Sequence, residues 1–120
     1  MTIQSSTAAA VITNNIINIV FHDGAIVTAD GNIFAVGKYK TLTVEIYGTS
    51  ATRTVAFIGR GTSGADRVIM GVRLSDLSTA VSTTGTGEIW QFDITGLTSI
   101  FMDLQAVAGG NVSVQGRAVA

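Results

Sequence analysis

The sequence has no cysteine and no proline, and each absence excludes a class of structural feature. Without cysteine there is no disulfide framework and no thiolate metal site. Without proline, the chain reversals depend on Gly, Asn, Asp and Ser. No apolar run approaches the roughly 20 residues of a membrane-spanning helix, and the start of the chain lacks the basic segment of a secretory signal. We therefore expect a protein that is made in the cytoplasm and has no membrane partner.

Charged residues are also scarce. They make up 12% of the chain, about half of the usual share, and Thr, Ser, Gly and Ala take their place. A small domain normally keeps its surface charged, so this composition predicts that neighbouring subunits cover part of it; alternatively, threonine is frequent because it suits strands. The net charge is −1 and the arginines are dispersed, whereas binding a phosphate backbone needs clustered cations. The sequence therefore predicts a homo-oligomer and no nucleic-acid partner.

The clearest secondary-structure signal is the stretch Gly87–Val107, which holds the only tryptophan. Alternate residues are apolar in its first half (Trp90, Phe92, Ile94) and again in its second half (Ile100, Met102, Leu104, Ala106). The glycine within Thr95–Thr98 supplies a reversal between them. This pattern predicts a hairpin whose aromatic face packs against another sheet, because two strands alone are only marginally stable.

Short strand-like segments separated by turn residues fill most of the remaining chain. Leu74–Thr86 is the longest irregular stretch and predicts an exposed loop. About eight strands at this spacing favour an all-β fold, an antiparallel β-sandwich of the jelly-roll type, over residues 16–120. Residues 1–15 are uncharged and predict an N-terminal arm or flexible extension. The remaining predicted strands are Ile16–His22, Ala25–Ala29, Ile33–Val36, Thr41–Gly48, Arg53–Gly59, Asp66–Arg73 and Val112–Val119.

Several motifs resemble catalytic or ligand sites, and each has a structural explanation. Gly59–Gly64 matches GxGxxG but leads into strand-like residues, so it predicts a hairpin loop. His22 and Asp23 point to opposite faces of a strand and do not form a catalytic pair. Asp93 and Asp103 could be cross-strand neighbours, away from the Trp90 face. The sequence predicts no enzyme activity, no metal site and no cofactor.

Exposed apolar and aromatic residues are the candidate contacts. In the uncharged N-terminal arm these are Ile3, Val11 and Ile12. Tyr47 points away from the apolar face of its strand, and Tyr39 lies in a polar loop. Trp90 with the two tyrosines could form a sugar-stacking platform, although the register of Trp90 favours burial.

Three segments resemble small β-sandwich structural proteins of tailed bacteriophages. They are Gly37–Lys40 leading into TLTVEIYGTS, the segment GEIWQFDITGLTSI, and the closing GGNVSVQGRAVA. The resemblance implies a capsid decoration, or cement, protein: a homotrimer on the virion surface that binds the major capsid protein and stabilises the capsid. Two alternatives stay open, a tail or fibre component involved in host attachment and a carbohydrate-binding β-sandwich module.

Overall fold

The computed structural model describes residues 9–120, and every regular element in this range is a β-strand. No helix in this part of the chain is long and apolar enough to span a membrane. The strands pair antiparallel throughout, so the predicted all-β sandwich is confirmed. The twelve strands are β1 (Ala9–Thr13), β2 (Ile16–Ala25), β3 (Phe34–Ala35), β4 (Thr41–Tyr47), β5 (Thr52–Arg60), β6 (Asp66–Val68), β7 (Gly71–Arg73), β8 (Thr79–Ala80), β9 (Ser82–Thr83), β10 (Glu88–Asp93), β11 (Ser99–Ala108) and β12 (Val112–Val119).

The strands form two sheets with unequal numbers of strands. The first sheet has seven strands in the order β1-β2-β12-β4-β10-β7-β8. The second has five, in the order β3-β11-β5-β6, with β9 also paired to β5. The last strand of the chain, β12, lies between β2 and β4 near the middle of the first sheet. Most of the long pairings therefore join segments that are far apart in sequence.

The core between the sheets follows from the alternation of apolar residues. In β4, Leu42, Val44 and Ile46 are fully buried, whereas Glu45 and Tyr47 point outward. Burying one such side chain contributes about 1.5–3 kcal/mol before the entropy cost is subtracted. An aromatic cluster joins the sheets: Phe57 of β5 lies 5.1 Å from the Trp90 ring and 4.8 Å from the Phe92 ring of β10.

The predicted hairpin over Gly87–Val107 is wrong in its pairing, although its inward faces are correct except at Ala106. β10 pairs with β4 and β7 in the first sheet, and β11 pairs with β5 and β3 in the second. Thr95–Thr98 therefore carries the chain from one sheet to the other. Asp93 and Asp103 are not cross-strand neighbours. Alternation shows which residues face the core, but both a hairpin and two facing sheets satisfy it.

The interruption predicted at Asp23-Gly24 is also wrong, because β2 continues through both residues to Ala25. The pairing of β12 with β2 is irregular near this point, and Gly24 adopts a φ of 62°. The backbone N–H of Gly24 donates to the Ser113 hydroxyl at 3.0 Å. The predicted strand Ala25–Ala29 is wrong, because residues 26–33 form no strand and Ala29 makes only an isolated bridge to Leu104 of the second sheet.

Three other expectations about strands need correction. The predicted strand Asp66–Arg73 is divided into β6 and β7, which belong to different sheets. The predicted loop Leu74–Thr86 contains the short strands β8 and β9. Ala106, expected to face the core, is exposed, because a register shift after Leu104 reverses the alternation. Two-residue strands and register shifts leave no periodic signal in a sequence.

The start of the described chain belongs to the first sheet. β1 pairs with β2 from Ala9 to Thr13, within the stretch 1–15 that the sequence assigned to an arm. Lys40 donates its backbone N–H to the Val119 carbonyl, and Ala120 does the same to that of Asn15. The ends of β1 and β12 and the β3–β4 loop thus meet at one end of the sheet.

We predict that Phe57→Ala destabilises the protein by about 3–5 kcal/mol, because it removes the ring that fills the space between Trp90 and Phe92. Phe57→Leu should cost less, since it leaves a smaller cavity. Urea unfolding followed by Trp90 fluorescence measures both. Ile26→Ala is the control, because Ile26 is 71% exposed; equal losses in all three variants would contradict the role of Phe57.

Candidate functional site

The first candidate surface is the outer edge of β1, which we call the β1 edge (Ala9–Thr13). It forms one end of the seven-stranded sheet, and Val11 and Ile12 are 49% and 52% exposed. Its five residues carry no charge. The other sheet ends are shorter or charged: β3 and β8 have two residues each, and β6 begins with Asp66 and Arg67. Proteins normally protect edge strands with charge or short length, so the β1 edge is the least protected one in residues 9–120.

The structure separates the predicted contact residues instead of bringing them together. Tyr39 is half-buried and packs on Phe34, with 5.8 Å between ring centroids. Tyr47 lies at the opposite end of β4 and is 37% exposed. Ile3 lies outside the described residues. Val11 and Ile12 thus define one surface, and Tyr47 belongs to another.

The second candidate surface is on the outer face of the seven-stranded sheet, where four adjacent strands align their side chains in two rows. Each row crosses β2, β12, β4 and β10, a width of about 14 Å. We call these eight residues the outer-face array. One row is Val20, Gln115, Glu45 and Ile89, and the other is Asn18, Arg117, Thr43 and Gln91.

Seven of the eight array residues, all except Gln91, line a depression of about 450 Å³ on the sheet surface. Arg117 donates from Nε to Asn18 Oδ1 at 2.9 Å, and its two Nη groups have no hydrogen-bond partner in the part of the chain that the structure describes. Within residues 9–120, Glu45 has no salt bridge and the Gln115 side chain has no hydrogen-bond partner. Gly116, between Gln115 and Arg117, faces inward, where an added Cβ would lie 3.0 Å from Phe21 and Leu42 atoms.

A polar network links β7 and β10 near the end of the same sheet that lies opposite to β1. Glu88 accepts hydrogen bonds from Arg73 at 2.8 Å, from Thr83 at 2.6 Å and from the Trp90 indole at 3.1 Å. Arg73 also donates two hydrogen bonds to Asp76. The Glu88 side chain is only 12% exposed, and its three donors satisfy a carboxylate that would otherwise be costly to bury.

This network fixes a tight turn between β7 and β8. Leu77 in the turn has a φ of 60°, a left-handed conformation that costs energy for a residue other than glycine. Its side chain is 71% exposed. The Asp76 carboxylate holds the turn in place by accepting hydrogen bonds from the Ser78 backbone and hydroxyl.

The network shifts the titration of its members. Hydrogen bonds from Arg73 and Ser78 hold the pKa of Asp76 well below its ordinary value. Burial raises the pKa of Glu88, but hydrogen bonds from Thr83, Arg73 and Trp90 outweigh that effect and lower the pKa overall. Both carboxylates are therefore more strongly held in the ionised form when the protein is folded.

The other motifs singled out from the sequence have structural roles. Gly59–Gly64 spans the end of β5 and the loop to β6, which confirms the predicted hairpin loop. His22 is buried and Asp23 exposed, so they do point to opposite faces, and the His22 Nε2 lies 2.6 Å from the Met102 carbonyl oxygen. Trp90 is 2% exposed, so it is a core residue and offers no stacking platform. Among residues 9–120, no group of three His, Cys, Asp or Glu side chains is placed to hold a metal ion.

Comparison with known proteins identifies the family. A model of the XepA family matches residues 15–118. The chain belongs to the XepA family. The crystal structure of the PBSX exported protein XepA matches with a TM-score of 0.88 and 34% identity, over 100% of this chain and 44% of that one. The crystal structure of the SPBc2 prophage-derived protein YomS matches with a TM-score of 0.84 and 33% identity, over 92% of this chain and 99% of that one.

Sequence relatives of this XepA-family chain come from Bacillus subtilis. YqxG is 45% identical over 85% of this chain and 34% of its own length, and the PBSX phage-like element protein XepA is 41% identical over 83% and 36%. The SPbeta prophage-derived protein YomS is 34% identical over 80% of both chains. This chain thus spans about a third of YqxG and XepA but most of YomS. The predicted phage relationship is confirmed at the level of the family, because XepA and YomS are named as proteins of a phage-like element and of a prophage.

The sequence indicated some members of these surfaces but not their arrangement. The alternation that places Tyr47 on the outward face of its strand places Glu45 there as well, and Val112–Val119 was predicted to be a strand. What the sequence did not reveal is that β12 lies next to β4, which aligns Gln115 with Glu45 and Arg117 with Thr43. The alternating polar residues of β12 were the available signal.

We predict that Glu88→Gln lowers the free energy of unfolding by about 1 kcal/mol at neutral pH, because it weakens hydrogen bonds to a charged group. In the wild type, the lowered pKa values of Asp76 and Glu88 mean that their stabilisation is complete above about pH 4.5 and is lost as the pH falls through the folded-state values. The variant should therefore lose less stability between pH 6 and about pH 3.

Urea unfolding at several pH values measures both effects. Glu45→Gln is the matched control, because Glu45 is an exposed carboxylate without a salt bridge in the described chain. A pH profile of Glu88→Gln that coincides with those of the wild type and the control would contradict the role given to Glu88.

Proposed function

We propose that this protein is a non-enzymatic structural component of a phage particle. Within the particle it acts as a capsid decoration protein, which forms a homo-oligomer, binds the major capsid protein at the virion surface and stabilises the shell. The β1 edge is the observation that carries this proposal. An edge strand that is five residues long, uncharged and flanked by exposed apolar side chains suits a lasting contact with another chain.

The low charge of the chain supports the same role. A partner that covers the exposed apolar side chains of Val11 and Ile12 removes them from water, which lowers the free energy of the assembly. Capsid surfaces repeat one site many times, so an oligomer that engages several equivalent sites gains avidity without a large contact at each. The family relationship to prophage proteins agrees with a place in a phage particle.

The partners of the interior polar groups support a non-enzymatic role. His22 contacts a backbone carbonyl, and Glu88 is engaged by three donors. The buried Arg53 donates to the Ser50 hydroxyl, the Ser50 carbonyl and the Thr84 carbonyl. These contacts hold loops and strands in place, which is what a structural protein requires.

The proposed trimer requires a head-to-tail contact, in which the β1 edge packs on a different surface of its neighbour. Antiparallel pairing of two β1 edges would instead give a twofold dimer. The mass in solution distinguishes these arrangements. A mass of three times the 12.4 kDa of one chain supports the trimer. The mass of two chains contradicts the trimer, and the mass of one chain contradicts self-association altogether.

We predict that Val11→Lys shifts the oligomer to monomer, because a lysine on an edge strand opposes pairing with another chain. Size-exclusion chromatography with light scattering measures the change, which we expect to be at least about tenfold in the dissociation constant. Val68→Lys is the matched control: it places the same charge on an edge strand, β6, at a residue that is 63% exposed. Dissociation by both variants, or by neither, would contradict the role of the β1 edge.

The capsid role is tested by mixing the protein with purified phage particles and with expanded empty capsids and measuring co-sedimentation. We expect binding to empty capsids that is lost in Val11→Lys and kept in Val68→Lys. Binding to tails and to host cells, but not to capsids, would favour the tail or fibre alternative and contradict the decoration role.

A further inference from the structure

The outer-face array has a chemical character that the proposed structural role does not use. It combines one carboxylate (Glu45), one guanidinium (Arg117), three amides, one hydroxyl and, at the ends of the first row, two aliphatic side chains. The charges cancel, and hydrogen-bonding groups occupy the middle. No described part of the chain covers this depression.

The position of the array excludes recognition by strand addition. β12 and β4 are inner strands, and both are paired on either side. Their backbone groups are already engaged in the sheet, so a ligand here can contact only side chains. An extended peptide that relies on main-chain hydrogen bonds needs an open edge, and this site has none.

The charge pattern excludes other classes of ligand. A phosphate group bound by Arg117 would lie close to Glu45, which sits on the neighbouring strand one pair further along. A nucleic acid or an anionic lipid surface needs clustered cations, and the array has a single one. An apolar partner would leave Glu45, Gln115 and Arg117 without water or hydrogen bonds, which is costly.

A neutral, polyhydroxylated ligand satisfies all of these groups. Its hydroxyls donate to the Glu45 carboxylate and the Thr43 hydroxyl, and they accept from the Gln115 amide and the free Nη groups of Arg117. The apolar C–H faces of sugar rings pack against Ile89 and Val20 at the two ends of the first row. The depression, about 450 Å³, lies within the usual range of small-ligand sites.

We infer that the outer-face array of the seven-stranded sheet binds a linear neutral oligosaccharide, running across β2, β12, β4 and β10. Its width of about 14 Å accommodates several sugar units. This site is distinct from the sugar-stacking platform that the sequence offered, because it does not involve Trp90. It also shares no residue with the β1 edge, so it does not rest on the proposed capsid role.

The experiment titrates chitohexaose and cellohexaose, which differ in their N-acetyl groups, into the full chain labelled with ¹⁵N. We expect at least one of them to bind with a dissociation constant of about 0.1–1 mM and to shift the amide signals of the strand segment around Gly116. Glu45→Gln and Gln115→Ala should each weaken binding by at least about tenfold. The control is Gln105→Ala, because Gln105 is an exposed glutamine on β11 of the other sheet.

Three results would overturn the inference. The first is the absence of binding by both hexasaccharides up to about 10 mM. The second is binding that the two array variants leave unchanged, or that Gln105→Ala weakens equally. The third is movement of the signals around Gly116 when the protein is diluted without sugar, which would show that a second copy of the chain occupies the array. The test does not depend on the oligomer, because Val11→Lys should bind the sugar as the wild type does.

Discussion

The contact of Phe57 with Trp90 and Phe92 is the interaction on which the rest of the structure depends. It is made between β5 in one sheet and β10 in the other, so it fixes their separation. The same packing leaves little space for side chains at neighbouring positions. At Gly71 an added Cβ would lie 2.5 Å from the Phe92 ring, so the ring leaves no room for a side chain there. This main core thus orders both sheets.

The two candidate surfaces lie outside this core, and their chemical properties differ. The β1 edge consists of unprotected backbone flanked by apolar side chains, which favours contact with another protein chain. The outer-face array consists of side chains on strands that are already paired, which favours a small polar ligand. The two surfaces differ in chemistry although they are neighbours, since Ala10 of the β1 edge pairs with Asn18 of the array. The proposed protein contact and the proposed ligand site are therefore compatible on one chain.

The sequence was sufficient for the fold class, because burial alternates along strands such as β4, where Leu42, Val44 and Ile46 face inward. It was not sufficient for the pairing of strands. The apolar faces of β10 and β11 look the same whether the strands form a hairpin or face each other across a core, and only long-range packing decides. The outer-face array depends on such pairing, so Gln115 and Glu45 could not be matched beforehand. The sequence showed that the segment forming the β1 edge is uncharged and contains apolar residues. It did not show that this segment lies at the end of a sheet.

The central position of β12 has a consequence for folding. The residues Val112–Val119 are far from β2 and β4 in sequence, yet they separate these two strands in the finished sheet. Until β12 pairs with them, β2 and β4 each expose an open edge and the first sheet cannot close. A folding intermediate without this long-range pairing would present two additional unpaired strand edges to other chains. The interval before β12 takes its place is therefore the stage of folding with the greatest risk of aggregation.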